Sequence, residues 1–162
     1  MTKANSSGAA ALDPHKLPRH IAVIMDGNRR WAKGQGLGAV RGHSVGARVT
    51  REIIQECVDL SIPALTLYTF STENWKRSRA EVGALMRLIA RNLRDELPSM
   101  QTNNVRVRHM GRREGLPEHL LRQIDESVGS TSNNSGMVLS LALNYGGRAE
   151  LTQAFQHLAA KV

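Results

Sequence analysis

Apolar residues run without a break from Ile21 to Met25, a density that predicts a short strand buried on both faces. After Arg41 the period changes. Val45, Val49, Ile53, Cys57 and Leu60 recur at helical spacing, which predicts a helix over His43–Leu60, and Pro63 blocks its continuation. Ala64–Phe70 is a second buried strand. Ser78 and Glu81 stand at capping-box spacing ahead of the stripe Val82, Leu85, Met86, Ile89, Leu93 and Leu97, the strongest helical pattern in the chain, expected to close at Pro98. Val105 and Val107 alternate with Arg106 and Arg108, predicting a strand through Met110 with one wet face, near a sheet edge. Pro117 can open a helix carrying Leu121, Ile124 and Val128, with Gly129 beyond its end. Ser132–Gly136 reads as a loop, Met137–Gly147 as a fourth strand, and a last helix starts near Arg148.

Strands alternating with helices predict an α/β fold, a mainly parallel β-sheet with helices on its faces. Ligands of such sheets sit beyond the carboxyl ends of the strands. Asp26–Trp31 leaves the end of the first strand and Ser71–Arg77 the end of the second, so both segments are expected to face one crevice.

The 162 residues suit one domain, and 41% hydrophobic content suffices for a core. Met1 to about Leu17 is small and polar and is expected to be a disordered N-terminal tail, with the domain spanning 18–162. Lys and Arg number 22 against 14 acids, a formal charge of +8 that favours an anionic partner. Aromatic content of 4% leaves little for a base-stacking surface, and acids at the strand ends would repel a nucleic-acid backbone, so nucleic acid is not the expected partner. Cys57 is the only cysteine, so no intrachain disulfide and no cysteine-based zinc site can form. No apolar run reaches the length of a signal-peptide core or a membrane span. A cytoplasmic protein is expected, with peripheral membrane contact left open.

Asp26 is the one carboxylate in the first segment. A Mg²⁺ ion takes one or two protein carboxylates and fills its shell with water and phosphate oxygens, which suits a lone Asp in a basic crevice. Gly27 permits close backbone approach. A helix starting near Asn28 would point free N–H groups at a ligand. Arg29 and Arg30 offer charge-assisted bonds of about 1.5–3 kcal/mol each where water is excluded. Asp-Gly is also a common turn, Trp31 suits packing as well as substrate contact, and His43 suits a helix cap as well as a phosphate. The second cluster, Ser71, Thr72, Glu73, Asn74, Trp75, Lys76 and Arg77, is either a strand-to-helix loop or a further set of hydroxyl, amide and guanidinium groups for the same ligand. The residues by themselves point to an anionic, phosphorylated ligand.

Four motifs in order, HIAVIMDGNRRWA, Gly42-His43, ALTLYTFSTENWKR and LNYGGR at Leu143–Arg148, closely resemble the cis-prenyltransferases, in particular the bacterial undecaprenyl diphosphate synthases. The resemblance runs from about Leu17 to the end. It implies an undecaprenyl diphosphate synthase-like fold and a Mg²⁺-dependent transferase that adds isopentenyl diphosphate to an allylic primer such as farnesyl diphosphate. Each new double bond is cis, and the polyprenyl product is of the kind that carries cell-wall precursors. By matching position, Asp26 is the essential acid and metal ligand. Gly27, Asn28, Arg29, Arg30, Trp31 and His43 bind the allylic substrate around its diphosphate. Ser71, Thr72, Glu73, Trp75 and Arg77 form the second substrate-binding stretch. Asn74 matches the residue assigned to proton removal or its support, although a neutral amide is a weaker base than departing pyrophosphate. The helix Val82–Leu97 would wall an apolar tunnel. A homodimer is the family expectation.

Two departures qualify the match. The family's arginine four residues before the histidine is Ala39 here, and its role does not transfer to Arg41. The family also continues into an Arg-Thr-Gly/Ser-Gly-Glu stretch, an Arg and Ser, and a late Glu, which bind isopentenyl diphosphate and complete the metal site; these 162 residues do not include them. The chain is therefore expected to be the N-terminal portion of such a domain, truncated after the fourth strand and its helix. The alternative to a transferase is a non-catalytic relative or fragment that binds allylic diphosphate only.

Overall fold

The computed structural model describes residues 12–161. Residues 1–11 of the expected tail lie outside the described residues. The rest of that segment carries one 3-10 turn, Pro14–Lys16, capped by the Asp13 carboxylate accepting from the His15 N–H, and Leu17 packs on the core.

The elements follow as β1 (His20–Ile24), α1 (Asn28–Gly34), α2 (Ala39–Asp59), β2 (Ala64–Ser71), a 3-10 turn at Thr72–Lys76, α3 (Arg79–Thr102), β3 (Arg106–Met110), α4 (Glu118–Ser130), β4 (Val138–Tyr145) and α5 (Gly147–Ala159). The four strands form one parallel sheet in the order β1-β2-β4-β3. The α/β class and the parallel sheet are as the sequence indicates. So is the edge position of β3, where Val107 is buried and Arg108 is exposed.

Two core clusters hold the layers together. One joins Phe70 and Leu143, near the carboxyl ends of β2 and β4, to Met86, Ile89 and Leu93 of α3 and to Leu120 and Ile124 of α4. The other joins Leu65, Leu67, Val107 and Leu139 of the sheet to Cys57 of α2 and Met100 of α3. Burying a side chain of this size contributes about 1.5–3 kcal/mol. α5 is different: none of its residues is buried, and Leu151, Phe155 and Leu158 stand exposed along it.

Several boundaries differ from the sequence expectation. α3 does not close at Pro98 but continues to Thr102. The proline ring removes one backbone hydrogen bond, yet Met100 just beyond it is buried in the second cluster, and the Thr102 hydroxyl donates to the Pro98 carbonyl at 3.0 Å. α2 begins at Ala39, four residues before His43, because its first turn carries glycine and small residues with no apolar period to read. α4 runs through Gly129 to Ser130 and is anchored just past its end by buried Thr131, whose hydroxyl donates to the Ser127 carbonyl and accepts from the Val107 N–H of β3.

The capping box expected at Ser78 and Glu81 is half formed. The Ser78 hydroxyl accepts from the Glu81 N–H at 3.2 Å, but the Glu81 carboxylate turns away toward His43 and Arg77. A reciprocal box forms seven residues earlier instead, between Ser71 and Asn74.

Candidate active site

The register pairs Ile24 with Tyr68 and Ser71 with Tyr145, so the segments leaving β1, β2 and β4 emerge side by side at one edge of the sheet. Gly27 sits at φ +90°, a conformation that a side chain would strain, and turns the chain sharply into α1. α1 is then clamped onto α2 by two glycines. A Cβ on Gly42 would run into the Asn28 carbonyl oxygen, and one on Gly46 into the Asn28 side chain.

Asp26 is held in this turn but not buried. Its Oδ1 accepts from the Gly27 N–H at 2.6 Å and its Oδ2 from Arg30 Nη2 at 2.7 Å, and the side chain is 74% exposed. The carboxylate is thus oriented while still open to solvent and to a cation.

A second charged group lies at the start of α3. Glu81 is 13% exposed and is approached by Arg77 Nη1 at 3.4 Å, Arg29 Nη1 at 3.9 Å and His43 Nε2 at 3.9 Å. Residues from α1, from α2 and from the end of the 3-10 turn converge on this one carboxylate of α3. His43 Nε2 is buried with no hydrogen-bond partner among the described residues. Burial lowers the His43 pKa, and the neighbouring Arg77 and Arg29 charges lower it further against the opposing pull of Glu81. The net shift favours the neutral form of the ring, and His43 lines the cavity.

Asp26, Asn28, His43, Ser71, Glu73, Asn74 and Arg77 line a single cavity of about 330 Å³. From this mouth it continues between α2, α3 and the sheet along Ala47, Leu85, Leu88, Ile89 and Leu93. The two segments after Met25 and Phe70 thus face one crevice, and the crevice has a polar head and an apolar body. The head is not simply basic: Asp26, Glu73 and Glu81 stand among the cations.

The remaining candidates take other positions. Trp31 is 46% exposed and lines an adjoining apolar groove of about 430 Å³ with Val45, Val49 and Ile53, which shares Asp26 and Asn28 with the cavity. Gly27 lines that same groove. Trp75 packs edge-on against Phe70, ring centres 5.1 Å apart, and its indole N–H donates to Asn144 Oδ1 at 2.8 Å. Thr72 lies under Gly146, where a Cβ would press on its hydroxyl. Asn74 Oδ1 accepts from the Ser71 N–H at 3.1 Å, so its amide oxygen braces the turn.

Glu81 escaped the sequence reading as a site residue because its capping-box spacing already explained it. Asn144 was quoted only within a motif. In the structure it is 5% exposed with φ +53°, accepts from Trp75, and donates through its amide to the carbonyls of Glu114 at 2.9 Å and Arg112 at 3.3 Å. A polar residue followed by Tyr-Gly-Gly at a strand end was the available signal.

Among the described residues no group of three His, Cys, Asp or Glu side chains could hold a metal ion. The donor set fits Mg²⁺ only in the sparse form, one open carboxylate from Asp26 with the other ligands coming from diphosphate and water.

The family model for prenyltransferases of the undecaprenyl diphosphate synthase kind matches residues 24–162. The chain belongs to this prenyltransferase family. Its relatives include an isoprenyl transferase from Shouchella clausii, 49% identical over 94% of this chain and 59% of the relative. Another, from Bacillus subtilis, is 47% identical over 91% of this chain and 56% of the relative. Among solved structures, lavandulyl diphosphate synthase from Lavandula x intermedia, in complex with dimethylallyl diphosphate, superposes with a TM-score of 0.86 at 36% identity, covering 90% of this chain and 62% of that one. A probable undecaprenyl diphosphate synthase from Campylobacter jejuni gives 0.72 at 30% identity, covering 88% and 62%. This prenyltransferase-family chain therefore spans less than two thirds of the length of the relatives it matches. No helix among its described residues is long and apolar enough to cross a membrane.

Proposed function

We propose that the cavity binds an allylic prenyl diphosphate and that these residues form the primer side of a cis-prenyl transfer site, at which isopentenyl diphosphate is added to a primer such as farnesyl diphosphate. The supporting observation is the cavity's polarity: the charged groups Asp26, Glu73 and Arg77 with the polar Asn28, His43, Ser71 and Asn74 at its mouth, and leucine and isoleucine walls behind them.

In this proposal the diphosphate lies among Arg29, His43, Arg77 and the polar start of α1. Ionisation of the allylic C–O bond sends the electron pair to the diphosphate, and preorganised donors stabilise the developing negative charge. His43 supplies a ring nitrogen that no group among the described residues has claimed. Glu81 holds the cations in place before the ligand arrives. The apolar walls exclude water from the carbocation and take up the hydrocarbon tail. Asp26 would hold Mg²⁺, which when bound supplies further positive charge to the departing diphosphate. Asn74 braces the turn beside the reacting centre, and pyrophosphate itself serves as the proton acceptor.

The relatives' length favours keeping a second reading, in which these residues bind allylic diphosphate without turning it over. One experiment addresses both. Farnesyl diphosphate with Mg²⁺ is expected to stabilise the chain, by about 2.7 kcal/mol at 100 times Kd. Absence of a shift in folded protein removes the allylic site. Stabilisation followed by incorporation of labelled isopentenyl diphosphate supports the transferase, and stabilisation without incorporation supports the binder.

A further inference from the structure

The connection between α1 and α2 forms an open, cationic and partly apolar tip. The two helices pack antiparallel, since Gly42 lies against Ala32 and Gly46 against Asn28, and the chain reverses over residues 35–38. A Cβ on Gly34, Gly36 or Gly38 would meet nothing within 4 Å, so no other part of the described chain covers this turn. Leu37, set between two of these glycines, is 41% exposed, and Val40, in the first turn of α2, is 53% exposed. Residues 27–51 contain six Arg or Lys and no Asp or Glu. Four of the six lean on carboxylates outside that stretch. Arg30 pairs with Asp26, Arg29 leans toward Glu81, and Arg48 toward Glu52. Arg51 reaches Glu96 of α3, which runs alongside α2 in the same direction. Lys33 and Arg41, on either side of the turn, are exposed and make no ion pair among the described residues.

Single apolar side chains on a surface are ordinary. Here two stand three residues apart, between two free cations, with no acid nearby in the chain to repel an anion. That combination suits the interface of a bilayer carrying anionic lipids. Lys and Arg draw the tip to the headgroups, and the apolar side chains enter the boundary beneath them. A nucleic-acid backbone would use the cations and leave Leu37 and Val40 in water. A folded protein partner would need far more contact area than this turn offers. The tip also stands beside the cavity mouth. His43 follows Val40 by one turn of α2, and Asn28 opens α1; both line the mouth. No helix among the described residues is long and apolar enough to cross a membrane, so the contact is a peripheral one.

We propose that the α1–α2 tip docks this protein on the surface of an anionic membrane, with Leu37 and Val40 as the apolar contacts and Lys33 and Arg41 as the cations. The docking stands apart from the reading of the cavity, because it needs no ligand there. Taken with that reading, it sets the mouth next to the bilayer. A hydrocarbon tail then passes between membrane and cavity over a short path, with little of its apolar surface exposed to water on the way.

The test is co-sedimentation of the full chain with vesicles of phosphatidylcholine alone and of phosphatidylcholine mixed with phosphatidylglycerol, with no prenyl diphosphate present. Binding is expected to the mixed vesicles only, and it should weaken as salt is raised. K33Q/R41Q is expected to weaken it about 25-fold, about fivefold for each cation removed. L37S/V40S leaves the charge intact and is expected to weaken it about tenfold. R122Q removes an exposed charge from α4, away from the tip, and should change nothing. Melting temperatures of the variants show that each is folded; should a double variant not fold, K33Q and L37S alone are expected to give smaller losses in the same direction. Equal binding to both kinds of vesicle overturns the proposal, as does binding that the folded tip variants leave unchanged. A loss in R122Q as large as that in K33Q/R41Q assigns the effect to net charge and overturns the tip. Abolition of vesicle binding by pyrophosphate assigns it to the cavity and does the same. No sedimentation with the mixed vesicles overturns the docking and leaves the cavity's reading to the farnesyl diphosphate titration.

Discussion

His43 Nε2 stands 3.9 Å from Glu81 Oε1, beyond hydrogen-bond reach, with both side chains nearly closed to water. Because no group among the described residues satisfies the ring nitrogen, an anion entering the cavity meets a prepared but unused partner.

That arrangement makes stability depend on pH. Burial lowers the pKa of His43, and also that of His109, from the ordinary value of 6.5. The unfolded chain therefore binds more protons than the folded one as pH falls below about 6.5, and stability falls with it. Urea denaturation between pH 7.5 and 5.5 should show this decline. His43→Gln should flatten part of the slope, and His43→Gln with His109→Gln should flatten it further. A slope unchanged in the double variant would mean that neither histidine is responsible.

Asp26→Asn should leave the fold intact, because the side chain is 74% exposed and its partner Arg30 is equally open. Exposed pairs of this kind contribute little to stability. Mg²⁺ should strengthen farnesyl diphosphate binding in the unmodified chain and fail to do so in Asp26→Asn. Where turnover is measurable, it should drop by about 10²–10³, the scale on which losing transition-state charge stabilisation acts. Melting temperature and binding measured on the same sample separate the two effects.

Gly46→Ala should loosen α1 from α2. The added methyl would occupy the position of the Asn28 side chain, and overpacking of this kind costs about 1–3 kcal/mol. Since Asn28 lines the cavity mouth, prenyl diphosphate affinity should fall with stability. Gly34→Ala, where the new methyl meets nothing within 4 Å, is the control and should do neither.

Trp75→Phe keeps a ring against Phe70 but removes the donor to Asn144 Oδ1. An unsatisfied acceptor on a residue 5% exposed should destabilise the protein by about 1–3 kcal/mol. Chemical denaturation measures the loss, and intrinsic fluorescence from Trp31 alone reports whether the rest of the fold is retained.

Much of this fold was legible because its signals are local. Ile21–Met25 and Ala64–Phe70 announce buried strands by density, and the stripe from Val82 to Leu97 announces α3 by period. Pro98 misled because one local rule was outweighed by burial of Met100 two residues later. The site was legible to the extent that two strand ends were expected to share a crevice. The meeting of Arg29, His43 and Arg77 at Glu81 was not, since it depends on how three helices seat against one another. Nor does any local pattern tell that Trp31 lines the adjoining groove while its neighbour Asn28 lines both that groove and the cavity.

The shared direction of α2 and α3 carries a mechanical consequence. The His43–Glu81 contact and the Arg51–Glu96 bridge join the same two rods, one near their starts and one further along. A substitution that slides either rod lengthwise would therefore disturb both contacts at once.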